Sequence, residues 1–199
     1  MGPQVCADLI GDLCTAGVAV RDRFLTRAEV YALRLCAQTR RERGEFAAAR
    51  IGAERTLQRR EEIRGDSICW LQEPLFAAER ELLERLEELR LQLNRDALLG
   101  LFELEMQYAR YPPGTGYARH VDRPQRRNQR RVSLALYLNE RWQAADGGEL
   151  RVFCGDERHR DIEPQGGRLV TFLTDRREHA VLTTKRERLS LTGWFRTRD

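Results

Sequence analysis

Arg188-Leu189-Ser190-Leu191-Thr192-Gly193-Trp194-Phe195 alternates along its length. In an extended strand Arg188, Ser190, Thr192 and Trp194 share one face, and Leu189 and Leu191 share the other. Working back from it, runs of the same kind recur at Leu104 to Tyr111, Tyr117 to Val121, Val132 to Asn139, Glu149 to Phe153, Arg168 to Leu173 and Ala180 to Leu182. A Pro112 to Gly116 turn and the pairs Gly147-Gly148, Gly155-Asp156 and Gly166-Gly167 punctuate them. Many short strands at regular spacing over residues 100–199 predict a sandwich, jelly roll or barrel.

The first half reads differently. Leu9 to Ala16 is amphipathic and ends at Gly17, and Val18 to Val20 predicts a strand leading to Phe24 and Leu25. Thr26 has N-cap chemistry ahead of a helix that carries Val30, Leu33 and Ala37 and runs to Gly44. Ala47 to Glu62 is polar, arginine-rich and weakly periodic, as expected of a surface segment. From Pro74 to about Leu98 the leucines Leu82, Leu86, Leu89 and Leu93 form one stripe opposite a charged face, which predicts a helix packed on the core.

With 199 residues, 41% hydrophobic and 33% charged, the chain is long enough and apolar enough to bury a sizeable core, which excludes a disordered tail or a fibre. Net charge is +4, from 35 basic and 31 acidic residues, and Lys185 is the sole lysine. That field is weak for nucleic-acid capture. Cys6, Cys14, Cys36, Cys69 and Cys154 are odd in number and form no C-x-x-C pair, so buried free thiols are expected rather than a disulfide framework or zinc site. No signal peptide or apolar run of roughly 18 residues is visible, so a cytoplasmic location without membrane contact is the expectation.

Histidine is scarce enough to inspect one residue at a time. In Tyr117-Ala118-Arg119-His120-Val121-Asp122, strand alternation projects His120 and Asp122 from one face. A second imidazole would complete a 2-His-1-carboxylate site with open positions for Fe(II) chemistry, and His179 is the better candidate. His159 sits in the charged, turn-like Glu157-Arg158-His159-Arg160 and is read as a solvated reserve ligand. An inward Arg188 is always charged and requires an anion within the barrel, for which a dicarboxylate cosubstrate is suited.

These residues sit in longer matching text: Ile63-Arg64-Gly65-Asp66 with Ile68 and Trp70; Tyr111-Pro112 through Gly114-Thr115-Gly116-Tyr117 to Asp122; Tyr137-Leu138-Asn139; Gly147-Gly148 with Leu150-Arg151; Asp161-Ile162-Glu163-Pro164; and Asp175-Arg176-Arg177 before His179. Over roughly residues 60–196 the chain resembles the 2-oxoglutarate- and Fe(II)-dependent prolyl 4-hydroxylases. The nearest likeness is to the hypoxia-inducible-factor prolyl hydroxylases of animals and to bacterial relatives that act on elongation factor Tu.

The resemblance implies an α+β fold with a double-stranded β-helix (jelly-roll) core and N-terminal supporting helices. Residues 1–99 would form the support, with added strands and the Arg-Gly-Asp loop, and residues 100–199 the oxygenase core, together one compact unit. It implies His120, Asp122 and His179 as Fe(II) ligands, and Arg188 as the catalytic-site cation that binds the distal carboxylate of 2-oxoglutarate. Tyr137 and Thr192 would assist Arg188, and Tyr111 would stand near the chelating end. Asp66, Arg130, Arg131 and Trp194 would shape the peptide-binding pocket. Dioxygen is the co-reactant, ascorbate the expected reductant, and a protein bearing a target proline the expected partner, with elongation factor Tu the first candidate. The chain departs from the animal enzymes in a shorter turn after Tyr111 and a more basic run from Arg123 to Arg131.

Three other readings are weaker. Alkylation-repair nucleic-acid demethylases resemble this pattern but carry a second arginine where this chain has Trp194. A non-catalytic 2-oxoglutarate- or oxygen-sensing module has no need of open metal positions. A zinc hydrolase would require a general-base carboxylate beside the triad, and none stands out in the sequence.

Overall fold

The computed structural model describes residues 3–49, 63–122, 129–155, 158–174 and 177–198. Among the described residues eleven strands form two sheets. They are β1 (Val18–Arg21), β2 (Ala47–Ala48), β3 (Ser67–Trp70), β4 (Leu101–Tyr111), β5 (Tyr117–His120), β6 (Arg130–Tyr137), β7 (Leu150–Phe153), β8 (His159–Ile162), β9 (Leu169–Leu173), β10 (His179–Val181) and β11 (Arg188–Thr197). The larger sheet has the order β1-β9-β6-β11-β4-β3-β2 and the smaller β5-β10-β7-β8. All of the strand pairings are antiparallel, the double-layer arrangement of a jelly roll.

Alternation along the large sheet sorts its side chains into two environments. Leu189, Leu191 and Phe195 of β11, Met106 and Tyr108 of β4, and Val132, Leu134 and Leu136 of β6 join one core cluster with three helices. Those helices are α1 (Pro3–Ala16), α2 (Arg27–Glu42) and α3 (Ala77–Ala97). The opposite face turns toward the small sheet, where Ala135, Tyr137, Leu150, Val152, Ile162, Val170 and Phe172 pack between the layers.

The helices follow the local chemistry of their sequence. Thr26 caps α2 in a reciprocal box with Glu29, so that each satisfies a backbone donor of the other. On α3 the stripe Leu82, Leu86, Leu89 and Leu93 is buried against the sheet, as its spacing predicts. Among the described residues no helix is long and apolar enough to cross a membrane.

Several boundaries differ from the sequence reading. β8 occupies the segment read as a charged turn, because Leu150 to Phe153 supplies it with a backbone partner that no local pattern reveals. β3 likewise forms by pairing with β4. The first helix begins at Pro3, six residues before the predicted start. Of the polar segment from Ala47 to Glu62, residues 50–62 lie outside the described residues, as do residues 123–128 of the basic run. The thiols of Cys36 and Cys69 are free and buried, and burial pushes both above their ordinary pKa, whereas Cys14 is exposed.

One buried ion pair ties two helices to the sheet. Glu79 of α3, fully buried, accepts two hydrogen bonds from Arg40 of α2 at 2.8 and 2.7 Å and one from the Tyr108 hydroxyl at 3.0 Å. Arg40 also donates to Glu45 just before β2, at 2.7 Å. Removing Glu79 leaves the buried Arg40 guanidinium with the partly exposed Glu45 as its remaining counter-ion and strips it of two hydrogen bonds. Glu79→Leu should therefore destabilise the protein by roughly 3–5 kcal/mol in urea unfolding. Arg40→Met combined with Glu79→Leu should recover much of that loss; a double variant as unstable as the single one would show that the charge is not the cause.

Candidate metal centre and its cavity

β5 and β10 pair with His120 opposite His179, which brings the two imidazoles to a centroid separation of 4.2 Å. β5 ends at His120, so Asp122 is not on the strand face that alternation alone suggested. It reaches the imidazoles from the bend that follows. Its Oδ1 lies 3.6 Å from His120 Nε2 and its Oδ2 3.6 Å from His179 Nε2. The ligand atoms of the three residues all fall within 4.8 Å of one another.

The surroundings orient the three side chains and shape their electrostatics. His120 Nδ1 donates to the Ala118 carbonyl at 2.7 Å, which orients the ring so that Nε2 faces Asp122. The Tyr117 ring stacks on His120 at 3.6 Å, and Phe172 packs against His179 at 4.7 Å. Burial pushes the His179 pKa down, more than Asp122 raises it. Burial would raise Asp122, but His179, His120 and Trp194 overcome it and hold the carboxyl well below its usual range. Two imidazole nitrogens and one carboxylate, converging from fixed backbone, suit a divalent transition metal and fit the Fe(II) donor set.

Ser133 of β6 donates to Asp122 Oδ2 at 2.7 Å and lies 3.1 Å from the buried Thr174 hydroxyl. The sequence reading overlooked both. A lone polar residue in Val132-Ser133-Leu134 was the available signal, because it interrupts an apolar strand at a cavity-facing position.

The cluster opens into a cavity of about 970 Å³ between the sheets. Its wall is a ladder set by strand register: Arg188 opposite Tyr111, Ser190 opposite Ala109 and Tyr137, Thr192 opposite Gln107 and Ala135, and Trp194 opposite Glu105 and Ser133. Arg188, only 2% exposed, lies at one end of the ladder, with the Tyr111 and Tyr137 rings each 5.1 Å from its guanidinium carbon. Its Nε donates to the Gly148 carbonyl at 2.8 Å and its Nη1 to Ser190 at 3.4 Å. Gly148 adopts φ +71°, and a β-carbon there would stand 3.2 Å from Arg188 Cδ and 3.0 Å from Thr184 Cβ. The glycine thus permits the close approach that holds the guanidinium.

Among the described residues no carboxylate pairs with Arg188, and the buried Tyr137 hydroxyl faces its guanidinium without a well-formed hydrogen bond to any protein atom. A buried cation next to an unmatched hydroxyl fits an incoming carboxylate. Burial also raises the pKa of the Tyr111 phenol, so it stays a neutral hydroxyl.

At the other end, Arg130 stacks on Trp194 with its guanidinium carbon 3.5 Å from the ring and pairs with Glu105 at 3.1 Å. Trp70 stands 6.3 Å from Trp194. Asp66 is buried in a bidentate pair with Arg64 at 2.7 and 3.0 Å, and Arg64 covers the Tyr117 ring. Arg131 is exposed and lies on the strand face opposite Arg130, and of the two only Arg130 lines the cavity. His159 is on β8, half-exposed beside Asp161, away from the cluster.

A family model described as the 2OG-Fe(II) oxygenase superfamily matches residues 106–196. The chain is 42% identical to a solved prolyl-4-hydroxylase of Pseudomonas putida, with a TM-score of 0.88 over 98% of this chain and 100% of that one. A prolyl hydroxylase from Trichoplax adhaerens, solved with a hypoxia-inducible-factor oxygen degradation domain peptide fragment, gives the same TM-score at 26% identity, over 97% of this chain and 89% of that one. Human Egl nine homolog 1 is 32% identical over 90% of this chain; the chain spans 43% of that protein's length. This chain belongs to the 2-oxoglutarate- and Fe(II)-dependent oxygenases and, among them, to the prolyl hydroxylase family.

Proposed function

We propose that the protein is a peptidyl-proline 4-hydroxylase that hydroxylates a prolyl residue of a protein substrate, coupled to oxidative decarboxylation of 2-oxoglutarate to succinate and carbon dioxide. The observation that carries this reading is the placing of His120, Asp122 and His179 in the same cavity as the buried, carboxylate-free Arg188. His120, Asp122 and His179 are the residues that would hold Fe(II), which when bound supplies the oxidising chemistry with dioxygen.

The chain's own contribution is binding, orientation and shielding. Arg188 binds the distal carboxylate of 2-oxoglutarate, with Tyr137 and Thr192 as hydroxyl partners and Tyr111 packing along the cosubstrate. Ser133 and Thr174 orient the Asp122 carboxylate. Trp194, Arg130 and Asp66 shape the peptide entrance, where Arg64 clamps Asp66; Arg131, on the opposite strand face, takes no part in it. In this reading residues 1–99 act as support for the catalytic core of residues 100–199, the two forming one unit. β1 and β3 support it by pairing into the sheet that carries Arg188. Elongation factor Tu is the first protein substrate to try, ascorbate the reductant to supply, and the cytoplasm the place of action.

The test is to incubate the protein with Fe(II), 2-oxoglutarate, ascorbate and proline-containing peptides, including peptides from elongation factor Tu. Expected is a gain of about 16 Da on proline, one oxygen atom, with matching succinate. Succinate formed without any gain on proline would overturn the prolyl reading and leave the oxygenase class intact.

A further inference from the structure

Neither the metal cluster nor the Arg188 end of the cavity uses Gln107. This side chain is 2% exposed, lines the cavity, and sits in the row Trp70–Gln107–Thr192 across β3, β4 and β11. Its amide nitrogen makes only a long 3.5 Å contact with Thr192 Oγ1. Its carbonyl oxygen Oε1 is buried and has no hydrogen-bond partner among the described residues. Along β4 its same-face neighbours are Glu105, which pairs with Arg130 and Arg196, and the apolar Ala109, which lines the cavity.

A buried carbonyl without a donor is costly, so a ligand that enters this cavity and offers an N–H or O–H is favoured at that point. At neutral pH 2-oxoglutarate carries two carboxylates and a ketone, all acceptors, and cannot supply the hydrogen. A peptide can. The target proline has no N–H of its own, so the donor belongs to a residue beside it. Trp70, 40% exposed, and Trp194 flank the same stretch of wall and offer indole surface to a pyrrolidine ring.

We propose that Gln107 is a specificity-determining residue whose Oε1 accepts a hydrogen bond from the backbone N–H of a residue flanking the target proline, seating the ring beside Trp70 and Trp194. This rests on the prolyl hydroxylase reading above.

The experiment takes a peptide that the wild-type protein hydroxylates and two copies of it, N-methylated at the residue before or after the proline. Wild-type protein should lose roughly tenfold in kcat/KM for one of the two methylated peptides, the effect of about one hydrogen bond. Gln107→Met removes the acceptor with little change in volume. It should raise KM for the parent peptide by a similar factor, move KM for 2-oxoglutarate less than twofold, and abolish the discrimination between the peptides. Quenching of tryptophan fluorescence by the peptides, measured without turnover, should report the same loss of affinity. Gln107→Leu, measured beside it, guards against a folding defect peculiar to one replacement.

Retained discrimination in both variants, or none in the wild type, overturns the role of Gln107. A selective rise in KM for 2-oxoglutarate would instead place Gln107 on the cosubstrate and also overturn it. If the wild type hydroxylates no prolyl peptide, the functional reading itself falls and this inference falls with it.

Discussion

Arg188→Met should abolish the stabilisation of the protein by 2-oxoglutarate while leaving the ligand-free protein as stable as before, or more so. Among the described residues Arg188 is the largest fully buried side chain and has no carboxylate partner. Its positive charge is held by one carbonyl, one hydroxyl and two aromatic faces. These contacts are weaker than an ion pair, so the ligand-free fold carries a charge that a dicarboxylate would match. At a 2-oxoglutarate concentration 100 times its Kd, with Mn(II) present, the wild type should gain about 2.7 kcal/mol. For a chain of this size that corresponds to a Tm rise of about 5–10 °C. Arg188→Met should show no such rise and should raise KM for 2-oxoglutarate by roughly 100-fold or more, as expected for removing one partner of a buried charge pair. Arg188→Lys, which keeps the charge but loses the fork, should fall between the two. If Arg188→Met keeps the wild-type Tm rise, the cosubstrate carboxylate binds elsewhere.

Loss of a metal ligand should have the largest effect on activity. His120→Ala, Asp122→Ala and His179→Ala each remove one of three donors that converge within 4.8 Å. Altering a group that merely orients a metal ligand costs 10–100-fold in affinity or activity, so removing the ligand should exceed about 100-fold in Mn(II) affinity and leave no measurable succinate formation. Isothermal titration with Mn(II) measures the first and succinate analysis the second. A chelator should silence the wild type, and added Fe(II) should restore it where Zn(II) does not, which separates an oxygenase from a zinc hydrolase. Should His179→Ala bind Mn(II) as tightly as the wild type, the assignment of the second imidazole is wrong.

The triad residues were legible because they are rare types held in alternating strands. Three histidines in the whole chain made His120 and His179 stand out. Arg188 declared itself by occupying the polar face of a strand whose other face is leucine. Ser133 was missed because a single polar residue in an apolar strand has no partner visible in its own segment, and Gln107 because it merely continues the polar alternation of Glu103 and Glu105. Glu79 was missed for a related reason: on α3 it is one glutamate among many, and Arg40, its counter-ion, lies 39 residues away.

By itself, then, the sequence determined the periods, which depend on neighbours one to four residues apart. From these came the leucine stripe of α3, the two-faced strands, the Thr26 cap and the residue types able to bind a metal and a dicarboxylate. Tertiary structure alone decided what long-range pairing controls. It made β3 and β8 strands, stopped β5 at His120 so that Asp122 enters from a bend, and set Thr192 beside Gln107. It also buried Arg188 with no carboxylate beside it among the described residues, and Glu79 with donors from Arg40, Tyr108 and the Phe76 backbone. Whether a buried polar group is matched depends on residues that only folding brings into contact, and a periodic pattern carries no record of them.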